Sequence, residues 1–287
     1  MNKEATLKNY IHQISRLKAQ EESLSVDGLE ALSRIYVALY NLVVVKSLDT
    51  TLGSRLTHHE RLKRLYGVSL KRYRKEKNFI QRCRLVNILQ YLSNEPFGFN
   101  LPWRNQSFDL TGKFIEEEIP LHHERMQPEW LWCVAYWFYP MNNDCTEDRN
   151  FRCFKKQLAS WVIQLDGKDR WGGLSMLEIL QRLDILNANS YLFLDETYDP
   201  VIRSLYAYCR KQTRIAATTD KEALQTMGLL YEQALNFNAY PADTLTQKVV
   251  IQALKDSHYQ LAEYSDEWLY VFSYLMFDLC EAIMGEF

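Results

Sequence analysis

The segment DEWLYVFSYLMFDLCEAIM, Asp266–Met284, decides the fold class. Its apolar side chains, Trp268, Leu269, Val271, Phe272, Leu275, Met276, Leu279 and Ile283, leave almost no polar face. A surface helix keeps a polar stripe, whereas one that is apolar nearly all round belongs in the middle of a bundle. Ser265 supplies a side-chain cap ahead of it, and Asp266 and Glu267 place acids in the first turn, where the helix dipole favours them. Asp278 and Glu281 interrupt the run, so it falls short of the ~18 uninterrupted apolar residues of a membrane span. Such a helix demands a shell of other helices.

Moving outward, that shell is legible. Leu7, Tyr10, Ile11, Ile14 and Leu17 recur at helical spacing. In GLEALSRIYVALYNLVVVKS, Leu29, Leu32, Ile35, Tyr36, Leu39 and Val43 form one stripe. A short helix over 57–66, a break at Gly67 and a long helix over 69–92 are expected next. Further helices are expected over 128–139, 150–164, 174–188, 200–212, 220–237 and 242–263, with Asp199 capping ahead of Pro200. One stretch departs from this pattern. NEPFGFNLPWRNQ concentrates Pro, Gly and aromatics, and SFDLTGKFIEEEI alternates around Thr111-Gly112, which predicts a small β-hairpin near 107–119. The expected fold is all-α, a multi-helix antiparallel bundle or α/α-hairpin array with that one hairpin.

Composition agrees. Only 10 Gly and 7 Pro stand against 18 Tyr, 13 Phe and 7 Trp, a balance that favours long helices over a many-turned β-sandwich. The opening MNKEATLKNYIHQ lacks the apolar core of a secretory signal, and the six cysteines form no C-x-x-C pair. Reduced, mostly buried thiols and a cytoplasmic location are expected. The net charge of −2 conceals a division. Residues 1–93 carry about twice as many Lys and Arg as Asp and Glu, and the remainder is acidic. A basic region over 1–93, an aromatic connector over 94–128 and an acidic region over 129–287 follow, three parts that can share one compact domain.

The tetrapeptide HHER occurs twice, in LTHHERLKRL from Leu56 and in PLHHERMQPEW from Pro120. A helix presents two His to one metal at i, i+4, but His58 is followed four residues on by Leu62 and His122 by Met126. A metal would have to gather His58, His122, Glu60 and Glu124 from both copies. The plainer expectation is a helix start capped by Thr57.

Three stretches offer surfaces for function. In RLKRLYGVSLKRYRKEKNFIQRCR, ten Lys or Arg lie between Arg61 and Arg84 with a single Glu. Cations interleaved with Tyr66, Tyr73 and Phe79 are what a phosphate-tracking surface needs. Leu62, Gly67, Val68 and Ser69 resemble the first-helix apolar residue, turn glycine and recognition-helix start of a helix-turn-helix motif. That resemblance implies groove and phosphate contacts by Lys71, Arg72, Arg74 and Lys75. Arg61, Lys63, Arg64 and Arg82 complete the candidate anion-binding set; a cationic face lying in water or against the acidic region is the alternative.

In SWVIQLDGKDRWGGLSMLEILQRL, Asp166-Gly167 and Trp171-Gly172-Gly173 separate two amphipathic segments. The connection resembles one in the α/α-toroid proteins, which implies a central cavity; Asp166 and Asp169 would line it. In FLDETYDPVI, Asp195 and Glu196 resemble the aspartate-rich metal–diphosphate motif of class I terpenoid synthases, and they join the carboxylates of that enzyme alternative. No nucleotide-binding glycine motif and no nucleophile elbow is present, so no cofactor is expected. The leading expectation is a helical binding or assembly module. Its basic face meets an anionic partner, nucleic acid or an acidic protein; a protein partner or self-association is expected, and no membrane.

Overall fold

The computed structural model of the chain describes residues 3–17, 20–46, 55–93, 102–114, 117, 174–188, 198–237 and 241–285. Among these the chain is all-α, with ten helices and no strand. They are α1 (Lys3–Leu17), α2 (Val26–Lys46), α3 (Arg55–Lys75), α4 (Phe79–Tyr91), α5 (Arg104–Lys113), α6 (Met176–Ala188), α7 (Tyr198–Gln212), α8 (Lys221–Asn236), α9 (Pro241–His258) and α10 (Asp266–Met284). Two compact units emerge, one from residues 1–110 with 258–287, the other from residues 111–257.

In the first unit α10 is the central helix that its sequence requires. Trp268, Leu269, Val271, Phe272, Met276, Cys280 and Ile283 are all buried. Its broadest interface is with α2, and the registers Ser25–Asp266 and Arg34–Tyr274 show the two helices running in the same direction. The opposite sense holds for α1, whose Tyr10 meets Phe272 and whose Lys3 donates to the Ala282 carbonyl. At the junction of α2 and α10 the Ser25 hydroxyl donates to Asp266 Oδ2 at 2.6 Å. It also accepts the Gly28 N–H at 3.1 Å, so one hydroxyl caps α2 and tethers α10. Gly28 permits this approach: a β-carbon there would stand 2.8 Å from Asp266 Oδ1. Ser265 accepts the Trp268 N–H at 3.1 Å, the cap expected from sequence.

The second unit is built on Gln233 of α8. Fully buried, it donates to Asp184 Oδ1 at 2.6 Å and accepts from Asn187 of α6. Asp220 caps α8 by accepting the Ala223 N–H at 2.8 Å. Gln247 ties α9 back to the Ala234 carbonyl at 2.8 Å, and Arg210 of α7 reaches the buried Asp243 carboxylate at 3.1 Å.

Several expectations change. The hairpin near 107–119 is replaced over Ser107–Lys113 by helix α5, because Trp103, Ser107, Thr111 and Phe114 recur at intervals of four, four and three and are all buried. Helix α3 runs unbroken through Gly67, and the break falls instead between Lys75 and Phe79. Thr57 therefore lies within the first turn of α3 rather than at its cap. The helix expected over 242–263 stops at His258, and a turn with Tyr264 at φ 66° precedes α10. Helix α7 begins at Tyr198, so Asp199 and Pro200 occupy its first turn. Helix α10, read with the acidic region, belongs to the unit that holds the basic one. The helices expected over 128–139 and 150–164 lie outside the described residues. No described helix is long and apolar enough to cross a membrane.

Candidate functional site

The cations of residues 61–84 separate into two groups. Arg64 turns inward and grips Glu21, donating through Nε at 2.5 Å and Nη2 at 2.6 Å. Glu21 is 2% exposed and also accepts the Tyr36 hydroxyl at 2.6 Å, so the buried carboxylate is fully engaged. Its hydrogen bond to Glu21 pushes the Arg64 guanidinium up, and burial with the same carboxylate raises the Tyr36 phenol. Arg61 lies against His58 Nδ1 at 3.3 Å, and burial lowers it. Arg82 folds over the Tyr73 ring, 4.5 Å from its centroid, and donates to the Tyr73 hydroxyl at 3.0 Å and the Glu76 carbonyl at 3.2 Å. Arg84 pairs with Asp27 and with Glu30 at 2.7 Å; burial pulls it down, but the two carboxylates raise it on balance. These arginines hold α3 and α4 onto α2 and onto each other.

Lys63, Lys71, Arg72, Arg74, Lys75 and Lys77 remain exposed. Lys63, Gly67, Lys71 and Arg74 recur at intervals of four, four and three, so they share one outer face of α3. The opposite face of the helix buries Leu62, Leu65, Tyr66, Ser69, Leu70 and Tyr73. Lys71 meets Glu22 at 3.6 Å, but with side chains 60% and 75% exposed this pair is weak and easily exchanged.

The corner between α3 and α4 is closed by the one carboxylate in the stretch. Glu76 Oε1 accepts the Lys77 N–H at 2.9 Å and the Asn78 N–H at 3.0 Å. The Asn78 bond, with Lys77, Arg72 and Arg82 adding to it, holds the Glu76 carboxyl below its ordinary range. Asn78 in turn caps α4 by accepting the Gln81 N–H at 3.1 Å. Three residues thus turn the chain, and the Glu76 carboxylate bonds backbone N–H groups while its charge still attracts Arg72 and Arg82.

The helix-turn-helix expectation does not survive, since its turn glycine lies inside a continuous helix. Nor do Tyr66 and Tyr73 offer rings to a ligand, because both are buried; burial pushes the Tyr66 phenol up to about 12. Of the eight cations expected to bind an anion, Arg61, Arg64 and Arg82 are engaged internally, while Lys63, Lys71, Arg72, Arg74 and Lys75 are presented together. Lys77 is not among those eight. Its place beyond the end of α3 becomes apparent only once the helix is seen to end at Lys75.

His58 is a core residue, 1% exposed, and His59 packs 5.2 Å from the Trp103 ring. Among the described residues no three His, Cys, Asp or Glu gather to hold a metal, and His122 and Glu124 lie outside them. Asp166, Asp169, Asp195 and Glu196 also lie outside the described residues. Cys83, Cys209 and Cys280 are buried, and burial pushes the Cys209 and Cys280 thiols up to about 12, far from nucleophilic use. No family model, no curated protein and no solved structure matches the chain.

Proposed function

We propose that this chain is a helical binding module whose α3–α4 corner docks an anionic partner. The observation that supports this reading is the exposed set Lys71, Arg72, Arg74, Lys75 and Lys77 at the corner, continued along α3 by Lys63, with Glu76 bonded to backbone N–H groups and Glu22 held only in an exposed pair with Lys71. A merely solvated cationic face needs no fixed shape. Here hydrogen bonds of Arg82, Glu76 and Asn78 define the turn, so the backbone that carries the cations is shaped before a partner neutralises them. Elution from a heparin column tests this. The wild type and a control reversed elsewhere, Lys211/Arg214/Lys221/Lys248→Glu, are expected to need clearly more salt than Lys71/Arg72/Arg74/Lys75→Glu. Equal elution of the two reversed variants sinks the proposal, because net charge alone would then govern retention.

A further inference from the structure

We infer that the partner is double-stranded DNA, held by its phosphate backbones across one groove; this rests on the anion-binding reading above. Protein interfaces draw their affinity from buried aromatic and apolar anchors. Among the described residues the large exposed apolar side chains are Tyr208, Leu245, Val249 and Tyr259, and none lies on α3 or α4. Among the described residues of this corner an acidic protein finds charge without a fully exposed apolar anchor, and a membrane finds no such side chain to insert.

Single-stranded nucleic acid is disfavoured on similar grounds. Its binding sites stack bases on exposed rings, but Tyr66, Tyr73 and Trp103 are buried and Phe79 is partly so. What remains among the described residues is a set of cations with no fully exposed ring beside it, the chemistry that phosphate contacts require.

Geometry selects the duplex. Lys63 and Arg74 lie eleven residues apart on the same outer face of α3, which at 1.5 Å per residue is about 17 Å. That reach bridges the phosphates flanking a B-form major groove, about 12 Å wide, whereas the deep, narrow major groove of duplex RNA does not admit a helix. Gly67 lies in the middle of the exposed row. Nothing stands within 4 Å of the position its β-carbon would take, so the row is lowest at its centre, where a helix backbone can come closest to the nucleic acid.

Fluorescence anisotropy in low salt separates the possibilities, using a mixed-sequence 24-base-pair DNA duplex, the matching RNA duplex, a 24-nucleotide single strand, phosphatidylserine vesicles and poly-glutamate. The DNA duplex is expected to bind at least tenfold more tightly than any other probe. Gly67→Glu, placed in open space and so compatible with the fold, is expected to weaken duplex binding at least tenfold, with an unchanged circular dichroism spectrum. Tighter binding to RNA duplex, single strand, vesicles or poly-glutamate overturns the DNA assignment while leaving the anion-binding reading in place. No binding to any probe overturns both.

Discussion

At the scale of single residues the buried carboxylate of Glu21 shows how the basic segment has to be read. From sequence Arg64 looked like one more cation available to a ligand, because its partner lies 43 residues away and no local pattern announces it. Burial makes the pairing costly to break, and unequally so. Arg64→Met leaves a 2% exposed carboxylate without its cation, which costs about 3 kcal/mol or more. Glu21→Gln leaves an arginine that is 34% exposed and can turn to water, so about 1–2 kcal/mol is expected. Denaturant midpoints should preserve that order; a larger loss for Glu21→Gln contradicts the assignment.

His258 gives a pH test. Its ring packs against Trp268 at 4.7 Å and Phe272 at 5.6 Å, and burial pulls its pKa down to about 4. The folded value lies below the unfolded one near 6.5, so the stability linked to this group is complete above about pH 6.5 and is lost as the pH falls towards 4. His258→Phe should flatten that part of the stability–pH curve when unfolding is followed from pH 7 to pH 4.5. An unchanged slope contradicts it.

At the scale of elements, Gly67 and Gly112 misled in the same way. In sequence each reads as a breaker, yet glycine costs a helix interior only about 1 kcal/mol relative to alanine. That is small beside the burial of Leu62, Leu65, Tyr66, Leu70 and Tyr73 along α3, worth about 1.5–3 kcal/mol per large side chain. In α5 the alternation around Thr111-Gly112 concealed the four-residue recurrence of Trp103, Ser107 and Thr111. The helix-turn-helix resemblance did carry a warning. Lys63 and Glu76 stand where that motif has a small and an apolar residue, and Glu76 proves to be the corner's closing acid.

Two glycine substitutions test the helix packing in opposite directions. Gly67→Ala should stabilise the protein by about 0.5–1 kcal/mol, since the site is open and helical. Gly28→Ala should destabilise it by about 1–3 kcal/mol, because Asp266 and the hydrogen bond from Ser25 must shift. Thermal unfolding of both variants reads the sign directly.

At the scale of the whole molecule, the all-α class was legible because α10 is apolar around most of its circumference, a property of one segment that needs no partner to be recognised. Which helices surround it was not legible. Nothing in the order of the chain indicates that α10 packs on α2, some 240 residues distant, rather than on its neighbours in the acidic region. That contact has a consequence for truncation. Removing residues 258–287 strips the first unit of at least seven buried large side chains on α10, a loss on the order of 10 kcal/mol or more, comparable with the entire stability of a domain. The shortened chain should lack a cooperative unfolding transition for that unit, and a native-like transition would contradict the central position of α10.

The charge division was visible in sequence, but which cations are presented and which are structural was not, since that depends on the Glu21, Asp27, Glu30 and Tyr73 partners. The measurement that bears most directly on the corner is the slope of log K against log salt for duplex DNA binding. Wild type is compared with Arg72→Gln, Arg74→Gln and Lys75→Gln, and with Arg84→Gln as an arginine of the same stretch engaged by Asp27 and Glu30. Each of the first three should lower the slope by about 0.9, the value of one neutralised phosphate, while Arg84→Gln leaves it unchanged. Equal reductions for all four, or none for any, would contradict the assignment of binding to the exposed corner.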